Sequence, residues 1–207
     1  MRRNPVDTPL SLAAATQSLI VPEAVALQVT AEQFEAIALA NPDLRLERTA
    51  TGELLMAPPT GGETGRRNMK LAYFLVKWIE EEGGSGIPFD SSTGFRLPNG
   101  ADRSPDAAWI QADRWTTLSP EQREGFVPLC PDFVIELRSK TDSLAKLQSK
   151  MQEYRENGTQ LGWLIDPQTR RVEIYRSQQP VEVLQNPTTL SSETLLPGFV
   201  LTLSRLW

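Results

Sequence analysis

The sequence predicts an α/β domain in which a mixed β-sheet is flanked by helices. Two short, almost unbroken apolar runs, 133–137 and 161–165, are typical of strands that are buried on both faces. A helical pattern at about 143–157 lies between them, so the three segments predict a strand–helix–strand unit with a right-handed crossover. A second helical pattern, roughly 63–82, carries an apolar stripe that would cover the sheet.

The N-terminal elements are a short helix and a β-hairpin. Thr30 and Gln33 form a capping box that begins the helix, and Asn41-Pro42 ends it. Residues 44–47 alternate between apolar and charged side chains, which predicts a strand. The segment 53–57 follows a Thr-Gly turn and is the predicted partner strand.

Shorter elements fill the middle of the chain. A glycine-rich segment at 83–86 ends the 63–82 helix. Two short strands are predicted near 92–97 and 106–110, and short helical turns over 112–124.

The C-terminal part is predicted to contain one more hairpin and an apolar tail. The strand at 161–165 turns at 166–169 and pairs with 172–175. The late apolar pieces exceed what a free tail needs, so we expect them to cover a sheet edge or to form the two-fold interface of a homodimer. These pieces are Leu195-Leu196, Phe199-Val200 and Leu206-Trp207.

The composition excludes several classes of catalytic site. The chain has 207 residues, no histidine and one cysteine, and its net charge is −5. Histidine-based catalysis and cysteine-rich zinc sites are therefore excluded, and any metal must be held mainly by oxygen. The acidic net charge does not by itself indicate DNA binding, although a local basic patch remains compatible with it.

The N-terminus shows no secretory signal pattern. Arg2 and Arg3 precede the apolar residues 12–15, but the polar residues 16–18 interrupt that run almost at once. No apolar run approaches the roughly 18 residues that a membrane-spanning helix needs. We expect a cytoplasmic protein with a weakly structured tail at 1–21 and one domain at 22–207.

Two carboxylates occupy unusual positions. Asp106 opens an apolar strand, and Glu136 lies inside the most hydrophobic strand of the chain. A lone buried carboxylate costs several kcal/mol, which a second carboxylate and a shared divalent cation would offset. The alternative is a salt bridge between Glu136 and Arg138, Arg170 or Arg171.

These residues belong to a longer pattern that resembles a known family. Ser104-Pro105-Asp106 followed by Glu136-Leu137-Arg138 resembles the PD…(D/E)-x-K motif of the restriction-endonuclease-like superfamily. The surrounding segments resemble the Uma-two type of bacterial restriction endonucleases over roughly residues 30–180. They are Pro131–Ser139, Lys150–Tyr154, Gly158 and Gly162–Pro167.

The resemblance implies a restriction-endonuclease-like fold, a Mg²⁺ (or Mn²⁺) site at Asp106 and Glu136, and hydrolysis of DNA. Arg138 stands in the usual lysine position, and arginine cannot serve as a general base. The resemblance offers Lys150 as the catalytic lysine, and the helical pattern places it on the flank of the core stripe. Glu63 is a further candidate acid, or a charge that serves the helix dipole, and Glu53 is an alternative to it.

Two basic clusters could contact DNA phosphates or could be ordinary solvated faces. Arg66 and Arg67 lie in the first turns of the 63–82 helix. Arg138, Lys140 and Lys146 belong to a segment, 138–155, with a local excess of positive charge. Two functions stay open: a metal-dependent DNA endonuclease, and a catalytically silent protein of the same fold that binds nucleic acid or a protein partner.

Overall fold

The computed structural model describes residues 26–192 and 194–207, so the predicted tail at 1–21 lies outside the described residues. The helices are α1 (Ala31–Ala40), α2 (Gly62–Glu81), α3 (Ala112–Thr116), α4 (Pro120–Glu124) and α5 (Leu144–Glu156). The first six strands are β1 (Arg45–Arg48), β2 (Leu54–Ala57), β3 (Ile87–Asp90), β4 (Phe95–Arg96), β5 (Asp102–Arg103) and β6 (Ala107–Ile110). The others are β7 (Phe133–Leu137), β8 (Leu161–Asp166), β9 (Arg171–Arg176), β10 (Glu182–Gln185), β11 (Thr189–Ser191) and β12 (Val200–Thr202), and a short 3₁₀ turn spans Leu203–Arg205.

The central element is a six-stranded mixed sheet in the order β10-β9-β8-β7-β6-β3. Strands β7 and β8 are parallel and are joined through α5, whereas the other neighbours in this sheet are antiparallel. Ile135 and Leu164 are buried in it. The predicted strand–helix–strand unit is therefore confirmed, as are the capping box of α1 and the hairpin of β8 with β9.

A smaller antiparallel sheet, in the order β2-β1-β5-β4, packs the N-terminal hairpin against the middle of the chain. The predicted strands near 92–97 and 106–110 correspond to β4 and β6, but β3 and β5 were not predicted. β5 has only two residues, too few for a periodic pattern, and β3 contains Pro88, which argues against a strand in sequence-based reasoning. Pairing fixes both strands: β3 pairs with β6, and β5 pairs with β4 and with β1.

The two faces of the central sheet carry different partners. One face packs against α2 and the C-terminal segment and includes Phe133, Ile135 and Trp163. The opposite face packs against α5 and includes Val134 and Leu164. Because side chains alternate along a strand, Glu136 lies on the same face as Val134, towards α5.

The C-terminal apolar residues complete the first of these faces. Leu196, Phe199 and Leu206 are almost fully buried, and the Phe199 ring stacks on Trp163 with centroids 5.9 Å apart. The expectation of a covered sheet edge is corrected, because these side chains pack on the central strands and so cover a face. None of the described helices is long and apolar enough to cross a membrane.

Candidate active site

The antiparallel pairing of β6 with β7 brings the two predicted carboxylates together. Ala107 is paired with Ile135, so Asp106, one residue earlier, lies opposite Glu136. The backbone N–H of Leu137 donates to Asp106 Oδ2 at 2.8 Å. Both carboxylates are buried, with exposures of 7% for Asp106 and 3% for Glu136.

Glu136 contacts two side chains that lie one turn apart on α5. The Lys150 amine is 2.7 Å from Glu136 Oε1, and the Tyr154 hydroxyl donates to the same oxygen at 3.2 Å. Burial raises the pKa of Glu136 to about 7; the charges of Asp106 and Glu47 add to this rise, and Lys150 offsets it only in part. The predicted proximity of Lys150 to a buried acid is therefore present in the structure.

Lys150 is shared between two carboxylates. Its amine donates to Glu47 Oε1 at 2.7 Å and to the Ser104 carbonyl at 3.3 Å, in addition to its contact with Glu136. Burial acts to lower the pKa of Lys150, but Glu136 and Glu47 outweigh it and the net pKa is raised. Lys150 is therefore a positive charge in this state, and it is poorly suited to accept a proton.

Glu47 is a site residue that the sequence analysis missed. It contacts Arg103 at 3.2 Å, and Arg103 contacts Glu153 at 2.6 Å. Burial acts to raise the pKa of Glu47, but Lys150 and Arg103 outweigh it, so the pKa is lowered. The alternation of β1 carried a signal, because a buried Leu46 places Arg45 and Glu47 together on the other face of the strand.

The other carboxylate oxygen of Asp106, Oδ1, contacts two side chains. Asn68 of α2 donates through Nδ2 to Asp106 Oδ1 at 2.9 Å, and the Arg45 guanidinium lies 3.4 Å from the same oxygen. Arg45 also donates to the Ser104 carbonyl at 3.0 Å. Burial acts to lower the pKa of Arg45, but Asp106 and Glu136 outweigh it and raise the pKa. Neither Asn68 nor Arg45 was singled out from the sequence.

The other two candidate acids lie elsewhere. Glu63 is 67% exposed and pairs with Arg66 at 2.9 Å and with Arg67 at 3.5 Å, all within the first turns of α2. Glu53 forms an isolated β-bridge with Gln28 near the turn of the β1–β2 hairpin. The structure therefore joins Asp106, Glu136 and Lys150, with neither of these two acids among the contacts of that group.

Two of the three arginines offered as alternative partners of Glu136 pair with other acids, and the third, Arg170, is exposed. Arg138 contacts Asp166 at 2.8 Å, and Arg171 contacts Glu173 at 2.8 Å. Glu136 forms its ion pair with Lys150 instead. The residue in the usual lysine position is thus held away from Glu136 by an acid of the next strand.

The remaining basic residues are distributed over the surface. Lys140 is exposed in the segment that leads into α5, and Lys146 is exposed in the first turn of that helix. Arg67 donates to the Leu206 carbonyl at 2.6 Å, so part of its role is to hold the C-terminal segment.

Asp106, Glu136 and Asn68 carry carboxylate and amide oxygens, which are the ligands that a hard divalent cation prefers. Lys150 and Arg45 hold positive charge against the same two carboxylates. Among residues 26–192 and 194–207, however, no group of three or more Cys, Asp or Glu residues converges in a way that could hold a metal ion. A cation shared by these two carboxylates would need ligands of another kind, such as amide or carbonyl oxygens or water.

Comparisons with known proteins give a family and a fold. The family model described as "Uma2: Putative restriction endonuclease" matches residues 31–204. A solved structure described as that of "a putative nuclease belonging to DUF820" from Anabaena variabilis is 21% identical, with a TM-score of 0.70 over 86% of this chain and 97% of that chain. This likeness confirms the predicted mixed α/β fold. No curated protein matches the chain.

Proposed function

Because this chain belongs to the Uma2 family, whose description is "Putative restriction endonuclease", we propose that it is a Mg²⁺-dependent endonuclease that hydrolyses DNA phosphodiester bonds. The observation that supports this most is the convergence of Asp106, Glu136 and Lys150 on one buried point. An acid pair with a neighbouring cation matches the arrangement expected from the family resemblance.

In this proposal Asp106 and Glu136 hold Mg²⁺ or Mn²⁺. The cation supplies charge that polarises the phosphate and makes a water more acidic, so no covalent intermediate is needed. The raised pKa of Glu136 fits this role, because a divalent cation favours the ionised carboxylate that burial disfavours.

Lys150 supplies positive charge to the phosphate. Its raised pKa keeps it protonated, and its bonds to Glu47 and to the Ser104 carbonyl hold the amine beside the acid pair. A fixed charge of this kind stabilises the charge that develops in the transition state without reorganisation. The involvement of Glu63 as a further acid stays a prediction.

DNA would be bound by basic residues near the site. Lys140 and Lys146 precede and begin α5, and Arg66 and Arg67 lie at the start of α2. Arg138 already pairs with Asp166, so its contribution to phosphate binding competes with an internal contact. We also propose that DNA is the partner of this protein, that the protein cleaves it in the cell, and that the protein is located in the cytoplasm.

Substitution of the acid pair tests the proposal. We expect Asp106→Ala and Glu136→Ala each to abolish Mg²⁺-dependent cleavage of duplex DNA while circular dichroism shows an intact fold. Glu182→Ala is the control, because Glu182 is an exposed acid that pairs with Arg176 on the edge of the sheet. Cleavage that persists in both alanine variants would contradict the assignment of the site.

A silent nuclease-like protein is the alternative, and one observation favours it: Lys150 and Arg45 already place positive charge against the acid pair. Mn²⁺ titration separates the two functions. A working site should bind Mn²⁺ and raise the melting temperature by mass action. A wild-type protein that neither binds Mn²⁺ nor cleaves DNA would support the silent protein.

A homodimer remains part of the proposal, although most of the late apolar side chains are used inside the domain. Val200 is 48% exposed beside Tyr73 of α2, which is 53% exposed, and both line a shallow groove. Sedimentation at micromolar concentration tests the interface, and a monomer would count against it.

A further inference from the structure

Asn68 carries a buried hydrogen-bond acceptor without a partner. The residue is 9% exposed, and among the described residues nothing donates to its Oδ1 atom. Leaving such an atom unsatisfied destabilises the fold, and native proteins seldom keep one without a reason. The other end of the same amide is satisfied, since Nδ2 donates to Asp106 Oδ1 at 2.9 Å.

The position of Asn68 on α2 is equally unusual. The buried stripe of this helix consists of Asn68, Leu71, Leu75 and Trp78, at spacings of three, four and three residues. Helical geometry predicts an apolar side chain at the first of these positions, and asparagine is a weak helix former. A polar side chain has thus been placed inside the core beside an acid of the candidate site.

A structural role as donor explains only half of this side chain. Donation to Asp106 would be served by Nδ2 alone, and it leaves Oδ1 desolvated and unused. Among the described residues no third carboxylate converges with the acid pair to hold a metal ion, since Glu47 is joined to Glu136 through Lys150. Mg²⁺ and Mn²⁺ accept amide oxygens as ligands. The unused Oδ1 belongs to the same amide group whose Nδ2 already contacts Asp106, one of the two proposed ligands.

We propose that Asn68 supplies an oxygen ligand to the divalent cation that Asp106 and Glu136 hold. The terminal torsion of asparagine is soft, so the amide can turn its oxygen towards a cation, and the new bond to the cation would replace the bond from Nδ2 to Asp106. The inference rests on the proposed metal site and adds an uncharged ligand from α2, a helix that contributes no acid contact to that site.

Mn²⁺ titration calorimetry on the full chain tests this inference. We expect Asn68→Ala to weaken Mn²⁺ binding about tenfold or more. Asn68→Asp keeps an oxygen ligand but loses the donor to Asp106, so we expect it to bind Mn²⁺ at least as tightly as the wild type. Gln148→Ala is the matched control, because Gln148 is also an amide that donates to a buried acid, Glu173, away from the site.

Each outcome has a distinct meaning. Wild-type affinity in Asn68→Ala overturns the ligand role, and so does an Asn68→Asp variant that binds as weakly as the alanine variant, because donation to Asp106 would then be the whole function. A wild-type protein that binds no Mn²⁺ overturns the metal site itself together with this ligand.

A crystal structure of the wild-type protein grown with Mn²⁺ gives a second measurement that does not depend on the folding of any variant. We expect Oδ1 of Asn68 at about 2.0–2.3 Å from the ion. An ion bound by Asp106 and Glu136 with Oδ1 outside its coordination sphere would overturn the inference and leave the proposed function standing.

Discussion

Glu136 and Glu173 occupy the same row on one face of the central sheet, with Leu164 between them, yet their surroundings differ. Each is 3% exposed, and each contacts a side chain of α5. Because the two acids are equally buried on the same face, the differences between them come from the side chains that contact each one.

Glu173 is surrounded by one cation and two neutral hydrogen-bond donors. Arg171 pairs with it at 2.8 Å, and the Tyr175 hydroxyl and the Gln148 amide each donate to it at 2.8 Å. One arginine serves this acid directly, and neutral donors complete its hydrogen bonds.

Glu136, by contrast, shares its cation with another acid and has a third acid nearby. Its cation, Lys150, is shared with Glu47, and Asp106 brings a further negative charge from the neighbouring strand. The two acids are equally buried, so the feature that singles out Glu136 as the candidate is the crowding of acids around a shared cation.

The largest expected difference between the two networks is catalytic. Lys150→Ala should slow single-turnover DNA cleavage by about 10²–10³-fold, because it removes a fixed charge from the transition state, while Mn²⁺ binding is retained. Gln148→Ala, which alters the other network on the same helix, should leave the cleavage rate unchanged. Equal losses in both variants would mean that α5 acts only as a scaffold.

The pH dependence of stability should differ next. With EDTA present, folding raises the pKa of Glu136 from 4.5 to about 7, so the folded state binds the extra proton between these values. The free energy of unfolding should therefore fall as pH rises from about 4.5 to 7, by roughly 3 kcal/mol in total. Urea unfolding of the wild type and of Glu136→Gln isolates the contribution of Glu136 to this pH dependence, because the glutamine side chain does not titrate. Parallel pH curves for the two proteins would contradict the raised pKa.

A smaller difference should appear when each acid loses its charge. Glu173→Gln should cost roughly 2 kcal/mol, less than the ~3–5 kcal/mol of a fully buried broken pair, because the Arg171 side chain is 33% exposed and can rehydrate. Glu136→Gln should be neutral or stabilising at pH 8 without metal, because it relieves repulsion among crowded carboxylates. Urea unfolding at one pH measures both changes, and a reversed order would remove the distinction between the networks.

The smallest effect concerns the basic residues. Arg138→Ala should weaken DNA affinity by less than about 1 kcal/mol, with little effect at saturating DNA, because Arg138 already pairs with Asp166. Lys140→Ala, at an exposed position, should lower the salt dependence of binding by about one phosphate contact. Fluorescence anisotropy over a range of salt concentrations measures both, and a larger loss in Arg138→Ala would show that its pair with Asp166 opens on DNA.

Much of the fold could be predicted because its strongest elements carry local periodicity. The apolar runs of β7 and β8 and the apolar stripe of α2 can each be recognised within a short stretch of sequence. Strands β3 and β5 could not be predicted, since they have only four and two residues and are held by pairing, β3 with β6 and β5 with both β4 and the distant β1.

The contacts of the candidate site could be predicted in part. Asp106 stands directly before an apolar strand and Glu136 within one, so both are unusual in the sequence. Lys150 follows from the family resemblance and from its place on the flank of α5. Glu47 lies on a half-exposed hairpin and meets Lys150 across a separation of 103 residues, a pairing that no local pattern encodes. Asn68 left a trace, because a polar residue interrupts the apolar stripe of its helix.

The C-terminal segment has a consequence for how the protein is made. Strand β8 leaves the ribosome about forty residues before the segment that covers it, an interval of roughly 2–8 s at ordinary elongation rates. During that interval Trp163 lacks the Phe199 ring that stacks on it, and α2 lacks the bond from Arg67 to the Leu206 carbonyl. The nascent chain therefore holds its acid pair on an unfinished scaffold, and premature termination within this segment would yield an aggregation-prone product rather than a smaller folded domain.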